Sequence, residues 1–416
     1  MKRILSFLLI ALLIFSTPVF AEEVPHVQAP SYMLMSIDTG VILIEQNCTV
    51  SITPGEFSKL MTALVAVEKL KETDIITFEE KDLSFQNPYG NIASVRTGES
   101  FTFREHLSNM LLLYSDASAN AIARQAFGSV EEFTKQMNKK AKELKAENAL
   151  FVSPSGYDPE SKSALSPKDL ALIMAKAYEN PLLKDVLSTV LFELRGERFS
   201  CRNHLLSKYT YSDFTYSPAK GMVVCERKDS CDIVSVASKG NSEFIAVVVG
   251  SPKSTAGRHY FDTINLFEYI FNNYTLRTVC REKTILDQIE VRAGSKSSVT
   301  LETAENCVAY TPYDYDKKLL THQIIKEDHI TAPVKQGEIL ATAVFYYKDT
   351  KLGEIPLVAS EGVHFRLITP FLSHINTRTL LVAVILLIIF FTLKYNSAKK
   401  KERRRKRREK IRNEQD

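Results

Sequence analysis

From Leu60 to Leu70 the chain is apolar on nearly every side of a helix, with Leu60, Met61, Ala63, Leu64, Val65, Ala66 and Val67 leaving no polar stripe. A helix without a polar face has to be surrounded by protein, so this stretch predicts the central buried helix of a domain. It opens on Pro54-Gly55-Glu56-Phe57-Ser58-Lys59. Glu56 and Lys59 are three residues apart and share one face, which favours an ion pair, and a carboxylate in a first turn complements the helix dipole.

The segments around this helix alternate between two patterns. The runs Tyr32 to Ile37 and Val41 to Ile44 flank Asp38-Thr39-Gly40 and predict a β-hairpin with a tight loop. Arg104 to about Phe127 reads as one helical stretch, and Pro167 to Tyr178 as another with Ser166 as its cap. Ile233 to Ala237 and Phe244 to Gly250 are β-branched runs separated by Lys239-Gly240-Asn241, a second hairpin signal, after which Phe261 to Asn273 returns to helix. Strands around a helical cluster, closed by a further helix, predict an α+β fold rather than a doubly wound sheet. From about residue 283 the pattern becomes short strands with turns, including Ile289 to Val291, Ser298 to Leu301, Ile339 to Tyr347 and Glu354 to Val358, which predicts a separate and smaller all-β domain.

Both ends of the chain carry membrane signals. Met1-Lys2-Arg3, the apolar run from Ile4 to Phe15 and Pro18-Val19-Phe20-Ala21 form a secretory signal peptide over residues 1–21. The apolar stretch from Thr379 to Leu393 would reach about 22 Å as a helix, and snorkelling by Arg378 and Lys394, with Tyr395 at the interface, extends it toward a ~30 Å hydrocarbon core. A single transmembrane helix is therefore expected over residues 377–395. Residues 396–416 hold eleven Lys or Arg against four Asp or Glu, a net of +7 beside +4 for the whole chain, so residues 1–395 carry −3. By the positive-inside rule this tail stays in the cytoplasm and residues 22–376 lie outside. Attraction of the basic tail to anionic lipid headgroups is the expected interaction, and no nucleic-acid partner is expected.

All six cysteines, Cys48, Cys201, Cys225, Cys231, Cys280 and Cys307, fall in the exported part, where up to three disulfides are open. Cys225 with Cys231 and Cys280 with Cys307 are the first pairs to test. No Cys or His spacing suits zinc and no Gly-rich phosphate loop occurs, so no metal and no cofactor are expected.

Several ordered stretches resemble one family. They are Met35-Ser36-Ile37-Asp38-Thr39-Gly40-Val41-Ile42-Leu43, Pro54 to Thr62, Phe151-Val152-Ser153-Pro154-Ser155-Gly156-Tyr157, Ser166-Pro167-Lys168-Asp169-Leu170-Ala171, and Phe244-Ile245-Ala246-Val247-Val248-Val249-Gly250. Together they resemble the low-molecular-mass penicillin-binding proteins, serine-type D-alanyl-D-alanine carboxypeptidases of peptidase family S11, over about residues 30–370. The resemblance implies a penicillin-binding-protein and β-lactamase-like transpeptidase domain over residues 22–280 and a β-rich C-terminal domain over 281–370. It also implies acyl transfer by a serine, an S-x-x-K lysine, an S-x-N triad and a K-T-G strand.

In this chain each of those elements is altered. Glu56 stands where the serine belongs, with Lys59 retained, and Ser58 points about 100° away from its neighbour Lys59 around the helix. Tyr114-Ser115-Asp116 replaces S-x-N, with Ser118-Ala119-Asn120 as the alternative register. Ala219-Lys220-Gly221 stands for K-T-G, where Lys220 and Gly221 are the candidate substrate-binding residues. The expected protein is thus anchored in the cell membrane, takes part in peptidoglycan metabolism, and is catalytically impaired. It would bind peptidoglycan stem peptides or cell-wall proteins in the manner of a pseudoenzyme. The alternative is an active carboxypeptidase-like hydrolase that trims stem peptides.

Overall fold

The expected first hairpin forms from β1 (Ser31–Ser36) and β2 (Ile42–Gln46), and β1 is the second strand of a five-stranded sheet in a computed structural model of the chain. The structure describes residues 25–84, 95–206, 213–366 and 377–412, so the signal-peptide expectation for residues 1–21 lies outside the described residues. The chain divides into two compact units. One comprises residues 1–280, 307–322 and 344–353; the other comprises 281–306, 323–343 and 354–416.

In the first unit the apolar run becomes α1 (Ser58–Ala66), entered through a 3₁₀ turn at Gly55–Phe57, and every one of its residues is buried. It ends four residues short of Leu70, where Leu70 N–H still returns to the Ala66 carbonyl in a turn. The short hairpin β3 (Ile75–Thr77) and β4 (Ser100–Thr102) leads into α2 (Phe103–Leu112) and α3 (Asp116–Phe127). The single helix expected from Arg104 to Phe127 is therefore two. Tyr114 adopts φ +61°, and Ser115 caps the second helix by accepting the Ser118 N–H, so the break is a local stop and restart.

Then follow α4 (Val130–Glu143), α5 (Pro167–Glu179), capped by Ser166 as expected, and α6 (Pro181–Ser188). A hairpin of β5 (Leu191–Leu194) and β6 (Glu197–Ser200) precedes β7 (Ala219–Glu226), β8 (Ser230–Lys239) and β9 (Ser242–Pro252). The sheet runs β2-β1-β9-β8-β7, with antiparallel neighbours throughout and β7 at an edge. Alternation decides what covers each face. Met33, Met35, Val234, Val236, Ile245 and Val247 pack toward α1, α2 and α5, while Leu34, Ile233, Ala246 and Val248 pack toward Leu266, Phe267 and Ile270 of α7 (Arg258–Asn273).

The ladders also place the cysteines. Cys225 is opposite Asp232 and Cys231 is opposite Glu226, so Cys225 and Cys231 point to opposite faces of the β7–β8 pair. The pairing between them is thereby disfavoured. Cys280, ending β10 (Tyr274–Cys280), is directly opposite Cys307, which begins β13 (Cys307–Pro312).

Beyond residue 280, β11 (Ile285–Arg292) pairs antiparallel with β12 (Ser298–Thr303), which pairs with β17 (Thr350–Ala359) through Leu301, Glu302 and Thr303. The sheet they belong to also holds β14 (Leu320–Lys326), β15 (His329–Thr331) and β16 (Ile339–Tyr347), in the order β14-β16-β17-β12-β11-β15, and β15 runs parallel to β11. Ile289, Val291, Val299, Leu301, Leu357 and Ala359 alternate inward and are buried. The last helix, α8 (Thr377–Arg412), is 36 residues long, and its Leu381–Lys401 stretch is long and apolar enough to cross a membrane, with none of it buried by protein.

Candidate active site

Three of the expected residues come together around one ammonium group. Lys59, on the first turn of α1, is 1% exposed. Its Nζ donates to Glu56 Oε2 at 2.6 Å and to the Ser155 carbonyl at 2.8 Å, and it forms an ion pair with Asp116 Oδ1 at 2.7 Å. An ammonium has three N–H bonds and three acceptors surround it here, so its hydrogen-bonding capacity is filled. Burial alone would push the Lys59 pKa down, but the carboxylates of Glu56 and Asp116 override it and hold it above the ordinary lysine value. Glu56 shifts upward because burial dominates the opposing attraction of Lys59.

Each partner is fixed by its own element. Glu56 lies in the 3₁₀ turn and Asp116 begins α3 directly after the Ser115 cap. Ser155 belongs to a loop tied to α1 by Thr62 Oγ1, which donates to the Pro154 carbonyl at 2.7 Å. The same loop touches the 3₁₀ turn so closely that a Cβ on Gly156, at φ +87°, would stand 2.0 Å from the Gly55 oxygen. A polar cavity of about 180 Å³ opens beside the charges, lined by Glu56 and Asp116 on one part and by Ser155, Tyr157 and Asp158 on the other.

Tyr114 sits at the α2–α3 break, and its hydroxyl accepts the backbone N–H of Val224 in β7 at 3.0 Å. Its ring is buried, with the Arg202 guanidinium 5.1 Å from the ring centroid, and burial raises the phenol pKa well above its usual value. Ser118 and Asn120 of the alternative register are buried inside α3. There Ser118 Oγ accepts from Asn109 and Asn120 donates to the Asp82 carbonyl, so both are committed to packing the helix.

Lys220 and Gly221 lie at the opening of β7. Gly221 faces Leu187, whose Cβ would be 3.1 Å from a Cβ placed there, and its carbonyl accepts from Ser235 Oγ. Cys225, four positions further on, reaches the 3₁₀ turn, with its Sγ 2.7 Å from where a Gly55 Cβ would stand. Burial pushes the Cys225 thiol up to about 11, so it is a neutral packing group at physiological pH. Arg227 continues the strand end toward the same turn, with its Nε 2.7 Å from Asp232 and its guanidinium also donating to Thr53.

Sequence reasoning brings Cys225 only to the rim of the cleft, as a partner for Cys231, and assigns no role to Arg202, Arg227 or the Ser155 carbonyl. Only the Ser155 stretch carried a signal, as one of the ordered family segments. Among the described residues no three His, Cys, Asp or Glu side chains are grouped as metal ligands.

Known proteins share this arrangement of elements. The family model described as D-alanyl-D-alanine carboxypeptidase matches residues 18–253, more than half of the 416 residues. The chain belongs to the D-alanyl-D-alanine carboxypeptidase family. A second model, the C-terminal domain of penicillin-binding protein 5, matches residues 274–364 of this family member. Among its relatives, the D-alanyl-D-alanine carboxypeptidase DacF of Bacillus subtilis is 29% identical over 382 residues, covering 87% of this chain and 95% of that protein. The D-alanyl-D-alanine carboxypeptidase DacC of Escherichia coli is 24% identical and covers 85% and 89% respectively. Among solved structures, penicillin-binding protein 5 of Haemophilus influenzae superposes with a TM-score of 0.68 at 22% identity, over 82% of this chain and 99% of that one. This carboxypeptidase-family chain therefore has the α+β penicillin-binding-protein fold with an all-β C-terminal domain, and its family places it in peptidoglycan metabolism.

Proposed function

We propose that this protein is a non-catalytic member of its family, which holds peptidoglycan stem peptides or cell-wall proteins in the cleft where its relatives would cut. The observation that carries this reading is the saturated Lys59 ammonium, bound to Glu56, Asp116 and Ser155 at 2.6, 2.7 and 2.8 Å. A lysine so occupied has no lone pair with which to take a proton. Glu56 in the serine's place offers a carboxylate, and its attack on a peptide carbonyl would give an anhydride, a poor acyl-enzyme. The retained fold and the polar cavity beside the charges support a binding role over an inert one.

The same proposal includes the topology. Residues 22–280 and 281–370 act outside the cell as the carboxypeptidase-like and β-rich domains. Residues 377–395 cross the membrane once, and the basic tail from 396 lies against anionic lipid on the cytoplasmic side. The exposed apolar stretch of α8 supports this arrangement.

Full-length protein in detergent is expected to release no D-alanine from a stem pentapeptide and to take no covalent label from a fluorescent penicillin. Turnover above a no-enzyme control, or a labelled band, would overturn the reading.

A further inference from the structure

The edge strand of the main sheet is already occupied from within. β7 ends the order β2-β1-β9-β8-β7, so one side of its backbone has no strand partner in that sheet. An edge of this kind is where an extended peptide adds itself to a sheet by main-chain hydrogen bonds. Val224 lies two residues from the end of β7, and its N–H is directed at the Tyr114 hydroxyl 3.0 Å away.

Three features hold the phenol there. Tyr114 takes a left-handed φ of +61°, an uncommon conformation for a bulky side chain, so the surrounding structure must impose it. Leu113 and Ser115 on either side both donate their N–H to the Asn109 carbonyl, which fixes the break between the helices. The Arg202 guanidinium covers the ring, and Arg202 is itself anchored by its N–H to the Leu112 carbonyl at 3.2 Å.

We propose that Tyr114 is a built-in occupant of the β7 edge and determines which ligands the cleft accepts. Its hydroxyl takes the Val224 N–H that an added peptide strand would need, and its ring fills the space such a strand would cross. What stays open to a ligand is the cavity of about 180 Å³ beside Glu56, Asp116 and Asp158, which has room for a short peptide segment rather than an extended one. The proposal rests on the reading of this site as a ligand-holding cleft, and its test does not use D-alanine release or penicillin labelling.

The test takes full-length protein in detergent as wild type, Tyr114→Phe and Tyr114→Ser. Residue-resolved amide exchange is expected to show Val224 exchanging roughly fivefold or more faster in Tyr114→Phe, with Val223 unchanged, because only the hydroxyl is lost. Calorimetry with an acylated L-Lys-D-Ala-D-Ala peptide is expected to give at least about tenfold tighter binding to Tyr114→Ser than to wild type. Equal Val224 exchange in wild type and Tyr114→Phe sinks the proposal, and so does wild-type binding as tight as that of a folded Tyr114→Ser. The Tyr114→Phe exchange result decides the matter should Tyr114→Ser fail to fold.

Discussion

At the scale of single residues, the site is organised by charge balance around Lys59. One ammonium lies between Glu56 and Asp116, with the Lys59 side chain 1% exposed and those of Glu56 and Asp116 13% and 3% exposed. Each charge is tolerable only because of the others. Lys59→Met leaves two carboxylates facing each other without a cation, and removing one partner from a buried ionic group costs about 3–5 kcal/mol. Urea unfolding of Lys59→Met should show a loss of that order, and Lys59→Met combined with Glu56→Leu should recover much of it. A Lys59→Met variant as stable as wild type would mean that the cluster is hydrated and weakly coupled. Glu56 and Lys59 were legible in the sequence because three-residue spacing on a helix puts them on one face. Asp116 could be suggested only through the family resemblance, since nothing local in the sequence brings residue 116 to residue 59.

At the scale of elements, the cleft depends on how closely a 3₁₀ turn and a loop approach each other. Gly156 has φ +87°, and any Cβ there would run into the Gly55 carbonyl, 2.0 Å from its oxygen and 2.6 Å from its carbon. Backbone cannot give way as a side-chain tip can, so Gly156→Ala is expected to cost at least about 3 kcal/mol and to disrupt the Ser155 contact with Lys59. Gly196→Ala is the control. It has φ +75° with nothing within 4 Å, so only the left-handed strain of about 1–2 kcal/mol applies. Thermal unfolding of the two variants separates collision from strain, and similar losses in both would show that strain alone matters. The break at Tyr114 was illegible for a related reason. The apolar spacing is continuous from Phe103 to Ile122, and the stop at Leu113 to Ser115 reflects tertiary contacts with β7 and Arg202.

At the scale of the whole molecule, buried histidines couple folding to pH. Burial lowers the pKa of both His106 and His259 from 6.5 to about 4. Their unfolded forms bind protons first, so this stability is complete above pH 6.5 and is lost as pH falls through 6.5 toward 4, by about 3 kcal/mol for His106. Urea midpoints should fall across that window, and His106→Gln should flatten the profile; an unchanged slope in His106→Gln would assign the acid sensitivity elsewhere. The apolar stretch of α8 predicts that full-length protein resists carbonate extraction from membranes while a chain ending at residue 366 is released, and extraction of both would remove the membrane-spanning role.

The sequence by itself determined the α+β class, the buried central helix, the first hairpin, the all-β second domain and the Glu56–Lys59 pair. All of these follow from periodicity or short spacing, which are local properties of a chain. Only the tertiary structure decided that Asp116 and the Ser155 carbonyl complete the shell of Lys59, that Cys225 of β7 lies against Gly55, and that Tyr114 closes the sheet edge at Val224. Those contacts join residues far apart in the chain, and their partners are set by which strand lies at the edge of the sheet and which loop crosses which turn. Neither is encoded in the pattern of any one segment.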